Sequence, residues 1–192
     1  MTGWRTTVLA LLTAGVLSGS AGADEPWDLI AEESRLGFVL HEGGHDIEGV
    51  FARFEADILF SPDNLAGSRI AVTVDVTSFH TGVADYDDAV GLPGWMDFAT
   101  HPTAWFVADR FRDIGPDGFE ALGTLTLRGT TRDIVLPFTF TIDGTTALGA
   151  GHLSLNRREF GIGDGSWETR ASIGNAVDIS FTVSLRRAAP AE

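Results

Sequence analysis

Apolar side chains recur at every second position in one segment after another of this chain, a period that builds strands rather than amphipathic helices. Ile70, Val72, Val74 and Val76 alternate with Ala71, Thr73 and Asp75. Phe54, Ala56, Ile58 and Phe60 alternate with Glu55 and Asp57, and Leu125 and Leu127 with Thr124, Thr126 and Arg128. Leu136, Phe138, Phe140 and Ile142 share one face against Pro137, Thr139 and Thr141, and Val177, Ile179, Phe181, Val183 and Leu185 repeat the pattern. Each segment reads as a strand with one dry face. Further strands are expected at 27–30, 36–40, 49–60, 104–111 and 147–155. Turn sequences punctuate them: Ser61-Pro62-Asp63-Asn64, Gly115-Pro116-Asp117-Gly118, Arg128-Gly129-Thr130 and Asp143-Gly144. Helix is expected only at 83–90, in the longest connection. The fold class is therefore all-β, an antiparallel eight-stranded barrel with one short helical connection, because closure removes exposed edges. A β-sandwich is the alternative.

The first residues do not fit that pattern. Arg5 is followed by a mostly apolar stretch, Val8 to Leu17, and then by Ala21-Gly22-Ala23. This is the layout of a secretory signal peptide, and the apolar part is well short of the roughly 20 residues that span a bilayer as a helix. Residues 1–23 are assigned to the leader, with cleavage after Ala23 and export, and residues 24–192 to one barrel domain.

Composition narrows the chemistry. With 27 acidic against 13 basic residues and a net charge of −14, the chain lacks the clustered cations a nucleic-acid face requires, and contact with an anionic membrane should be at most transient. Every basic residue is Arg, which removes Schiff-base and P-loop lysines, and no Cys is present for disulfides, thiolate metal sites or thiol catalysis.

His41-Glu42-Gly43-Gly44-His45 matches the H-E-x-x-H pattern of zinc proteases. That motif works on a helix, where both imidazoles share a face, and two glycines between the histidines favour a hairpin instead. Asp85-Tyr86-Asp87-Asp88 starts like a calcium loop, but Ala89 and Val90 stand where a ligand and a glycine belong. Gly161-Ile162-Gly163-Asp164-Gly165 lacks the spacing of a dinucleotide loop, and His80, His101 and His152 have no nucleophile partner evident in the sequence. Neither catalytic residues nor a metal site is expected. Arg157 and Arg158 are expected to end a strand beside the glycine loop; a guanidinium at a barrel mouth can orient a polar head, and an exposed Arg pair with acidic neighbours is the plainer alternative.

The order of several short pieces resembles the YceI family over nearly the whole mature chain. These are Trp27, Ser34-Arg35-Leu36-Gly37-Phe38, Gly49-Val50-Phe51, Ile58-Leu59-Phe60 and Val72-Thr73-Val74. Ser78, Thr81, Asp87, Pro102 and Phe106 follow, then the run Gly123 to Thr131 and Asn156-Arg157-Arg158-Glu159-Phe160-Gly161-Ile162-Gly163. The resemblance implies a lipocalin-like barrel whose apolar channel holds a polyisoprenoid chain, such as a quinone or its precursor, usually in the bacterial periplasm. Tyr86 and Ala89 stand where many relatives carry Arg and His, while Asp87 and Arg157 match.

The leading expectation is a non-enzymatic carrier whose partner is a polyisoprenoid lipid or quinone, with no cofactor and with homodimer formation open. Strand parity nominates as lining Phe38, Leu40, Phe54, Ile58, Phe60, Val72, Val74, Val76, Phe106, Leu125, Leu127, Phe138, Phe140 and Phe181. Trp95, Phe98 and Trp105 are nominated to close the mouth, and Asp87 and Arg157 as head-group contacts. Small inward residues such as Ala56, Ala104, Ala121 and Gly149 leave room or face large partners; sequence does not choose between an open and a packed interior. A packed stress or accessory protein working through its acidic surface and a metal-dependent hydrolase are the rival classes.

Overall fold

The computed structural model describes residues 26–164 and 173–189; the expected leader and Gly165 lie outside the described residues. Among the described residues ten strands follow in chain order: β1 (Trp27–Glu42), β2 (His45–Phe51), β3 (Phe54–Leu59), β4 (Arg69–Asp75), β5 (Phe79–His80), β6 (Thr103–Gly115), β7 (Gly118–Leu127), β8 (Thr130–Asp143), β9 (Thr146–Asn156) and β10 (Ile173–Arg187). One helix, α1 (Ala84–Val90), lies in the β5–β6 connection, where a helix was expected. All pairings are antiparallel. β10 pairs with both β9 and β1, so β1, β3, β4, β6, β7, β8, β9 and β10 close into a ring of eight strands. Closure decides for the barrel over the sandwich. β2 and β5 extend the wall at one end, against the second half of β1.

Two expected segments are joined or divided differently. The separate short strands at 27–30 and 36–40 are one long strand, because a bulge between Ile30 and Arg35 carries the chain across the gap. Ser34 holds that bulge, its Oγ donating to the Ile30 carbonyl and accepting from the Ser184 N–H. The strand expected at 49–60 is instead divided. At Ala52 and Arg53 the backbone bonds with the Val76–Ser78 turn: the Ala52 N–H donates to the Ser78 carbonyl and the Arg53 N–H to Ser78 Oγ.

Tight turns carry the backbone strain of the meander. Gly43 and Gly44 have φ of 56° and 86°, and Arg128 and Gly129 of 48° and 72°, the double positive-φ geometry that matches strand twist in two-residue hairpins. His41-Glu42-Gly43-Gly44-His45 is thus a β-hairpin, with Glu42 opposite His45.

The buried side chains form two clusters at opposite ends of the barrel. One joins Trp27, Ile58, Phe60, Ala108, Phe119, Ala121, Phe138, Phe140, Ala147 and Leu185. The other joins Val76, Trp95, Met96, Ala104, Phe160 and Ile162, drawn largely from connections.

Candidate ligand cavity

Between the two clusters the barrel is hollow. Side chains that strand parity turns inward, among them Leu36, Val72, Val74, Leu125, Leu127, Val177, Ile179 and Val183, are only partly buried although they point away from bulk solvent. A packed barrel would bury them fully. They line a cavity of about 250 Å³.

Most nominated residues are in its wall: Phe38 and Leu40 on β1, Phe54 and Ile58 on β3, Val72 and Val74 on β4, with Val76 just beyond. Phe106, Leu125, Leu127, Phe138, Phe140 and Phe181 join them from β6, β7, β8 and β10. Parity also carries residues not nominated, such as Leu36, Ile70, Leu136, Ile179 and Leu185. Phe51, Phe79, Val90, Met96, Phe160 and Ile162 complete the lining from strand ends and connections, where no period marks them.

Four nominations need correction. Phe60 is 1% exposed but stands behind the lining, packed on Phe138 and Phe140 with ring centroids 5.2 and 4.8 Å away. Trp105 is 46% exposed on the outer face of β6, because its neighbours Ala104 and Phe106 both face inward and period two turns the residue between them out. Phe98 does not reach the cavity; it packs over Gly91, where a Cβ would meet its ring at 2.7 Å, and supports the cluster around Trp95. Of the three aromatic mouth residues, only Trp95 lines the interior.

Asp87 is the fourth: it is not part of the cavity lining, and its carboxylate is engaged locally. It accepts from the Thr81 N–H at 2.8 Å and Thr81 Oγ1 at 2.7 Å, and pairs with His80 Nδ1 at 2.8 Å, anchoring the first turn of α1 to the end of β5. Burial pushes its pKa up, but the Thr81 and His80 hydrogen bonds outweigh that and hold it below the usual range. The Tyr86 hydroxyl donates to Glu42, tying the same helix to the β1–β2 hairpin and raising the phenol's pKa.

Arg157 does reach the cavity, and among the described lining residues it is the one that carries a charge. It is 8% exposed at the start of a 3-10 turn, Arg157–Phe160. Its Nε donates to the Gly174 carbonyl at 2.8 Å, one terminal nitrogen to Ile162 at 2.6 Å and the other to Ile173 at 3.1 Å. The guanidinium carbon lies 5.2 Å from the centre of the Trp95 ring. Burial lowers its pKa. These contacts make Arg157 a clamp on the backbone that closes this end. Arg128 works beside it, donating to the carbonyls of Pro93 and Gly161 and so joining the two connections.

Outside the wall, His41 sits between two carboxylates, Nδ1 2.7 Å from Asp46 and Nε2 3.0 Å from Asp178. Those hydrogen bonds, Asp46 first, raise its pKa, and His41 with Ser154 lowers that of Asp178. Among the described residues no three His, Asp or Glu side chains are grouped to hold a metal ion.

A closed antiparallel ring around a hollow apolar interior defines a lipocalin-like β-barrel protein. Residues 27–185 match the YceI-like domain, and the chain belongs to the YceI family. A UPF0312 protein of Vibrio cholerae is 30% identical over 168 residues, covering 82% of this chain and 89% of that protein. A UPF0312 protein of Pseudomonas savastanoi is 30% identical over 181 residues, covering 90% and 93%. Among solved structures, BcnA of Burkholderia cenocepacia superposes with a TM-score of 0.78 at 29% identity, over 82% of this chain and 99% of that one. A polyisoprenoid-binding domain from Saccharophagus degradans, implicated in plant cell wall breakdown, shares the fold with a TM-score of 0.69 at 16% identity, over 84% and 98%.

Proposed function

We propose that this protein binds and carries a lipid, taking the hydrocarbon tail of a polyisoprenoid, an isoprenoid quinone or its precursor, out of water and into the barrel. The observation that carries the reading is the ring of inward apolar side chains left partly exposed around the cavity. Such a wall gains free energy by covering itself, at roughly 25 cal/mol per Å² of apolar surface removed from water on both partners. The related fold of a polyisoprenoid-binding domain supports the choice of ligand. The protein acts by binding rather than by catalysis: Arg157, the charged lining residue, has three of its five N–H groups on main-chain carbonyls, and a guanidinium offers no general acid or base at neutral pH. The leader pattern at 1–23 supports a periplasmic site of action, and the charge of −14 supports brief rather than lasting contact with anionic membranes.

The test is to purify the mature protein from periplasm without detergent, extract it with organic solvent and identify co-purifying lipids by mass spectrometry beside a metal assay. A stoichiometric polyprenyl species is expected. An empty extract, together with failure to load the protein with quinones, would overturn the carrier reading and leave the acidic outer surface as the working part.

A further inference from the structure

The cavity ends blindly on one side, against Phe138, Phe140 and Leu185, which are 7%, 4% and 0% exposed. Phe60 backs both rings edge-on, and is itself held edge-on by Phe111 and Phe119 at 5.3 and 5.1 Å. Trp27 adds a further edge contact to Phe140 at 5.6 Å and ties its Nε1 to the Phe60 carbonyl at 2.9 Å. Interlocked edge-to-face rings have few alternative rotamers, so a chain sliding along the barrel meets a wall there rather than a yielding side chain. The surface that the lining turns to the cavity is apolar throughout, so no polar group there selects a ligand by hydrogen bonds, and three of the five Arg157 N–H groups are already on backbone carbonyls.

From these two facts we infer that the protein selects its ligand by length, and that Phe138 and Phe140 set the upper limit on the number of isoprene units it encloses. This rests on the polyisoprenoid reading. A phenyl ring and a C5 isoprene unit are similar in bulk, so removing one ring opens room for about one unit before Phe60 is met. The converse change is available at Ala56, a half-buried lining residue packed against the same cluster, where a larger side chain would shorten the space.

The experiment offers wild type, Phe138→Ala, Phe140→Ala and Ala56→Leu an equimolar mixture of all-trans prenyl alcohols, from farnesol through geranylgeraniol to solanesol. Bound alcohols are recovered by detergent-free gel filtration and quantified by mass spectrometry, with circular dichroism to show folding. The wild type should retain lengths up to a sharp edge. Each Phe truncation should move that edge up by one unit, retaining the first excluded alcohol roughly tenfold better or more, and Ala56→Leu should move it down by one. An edge that stays put in folded variants, or a wild type that loads quinones but retains no alcohol, overturns the length limit and leaves lipid binding intact; a wild type that retains neither overturns the lipid reading itself. If the truncations do not fold, Ala56→Leu decides by the same criterion.

Discussion

The two ends of the barrel are closed by different physics. The end formed by Trp27, Phe60, Phe119, Phe138, Phe140 and Leu185 is a dense aromatic core built almost wholly from strands. The opposite end is closed by connections, α1 and the segments around Trp95 and Phe160, held by arginines that grip main-chain carbonyls. Strand residues are placed by ladders on both sides, so they can interlock; connection residues lack ladders, and charged side chains supply the missing hydrogen bonds. One end is a fixed floor, the other a hydrogen-bonded closure, and a cavity between them has a natural direction.

The largest expected effect probes the floor. Phe60→Ala removes a ring packed against four others and should cost about 3–5 kcal/mol in urea denaturation. At the closure, Arg157→Met keeps the apolar stem but strands three carbonyls, for a loss of about 2–3 kcal/mol, measured the same way. The wall between should be the most tolerant. Leu125→Ala enlarges a space that already exists and should cost about 1 kcal/mol, below the 2–5 usual for tightly packed leucines. A Leu125→Ala cost equal to that of Phe60→Ala would mean the interior is packed throughout and the contrast between wall and floor is false.

The smallest effect is electrostatic and lies outside both ends. The folded pKa of His41 is raised above its ordinary value near 6.5, so its contribution is fully present below that pH and fades as pH rises through the folded value. The Asp178 pKa is lowered, so its contribution is present above the ordinary carboxylate range and is lost as acid carries pH down through the folded value. Between those limits the pair ties β1 to β10. His41→Gln should therefore flatten the fall in Tm that the wild type shows from slightly acid to mildly alkaline pH, while leaving the prenyl length limit where it was. A change in that limit would show that the outer face is coupled to the cavity.

Much of this was legible along the chain. Period two assigned the faces of Val72, Leu125, Phe138 and Phe181 correctly because pleating is local: each residue's side is decided by its immediate neighbours. The same rule turns Trp105 outward between Ala104 and Phe106, and aromatic character alone was a poor guide to a mouth residue. The glycine pair at 43–44 likewise identified a hairpin in place of a zinc helix, since backbone freedom is also a property of individual residues. Depth along the barrel was not legible. Phe60 and Phe54 share a parity, yet one backs the floor and the other lines the cavity, a distinction that depends on stagger between strands and on β1 meeting β10 from the far end of the chain. The roles of Asp87 and Arg157 were hidden for the same reason: residue type announces a charge, but only the folded chain brings the Thr81 N–H or the Gly174 carbonyl to meet it. Which side of a strand a residue faces is decided within a few bonds; how much room is left inside is decided by closure, which no local pattern encodes.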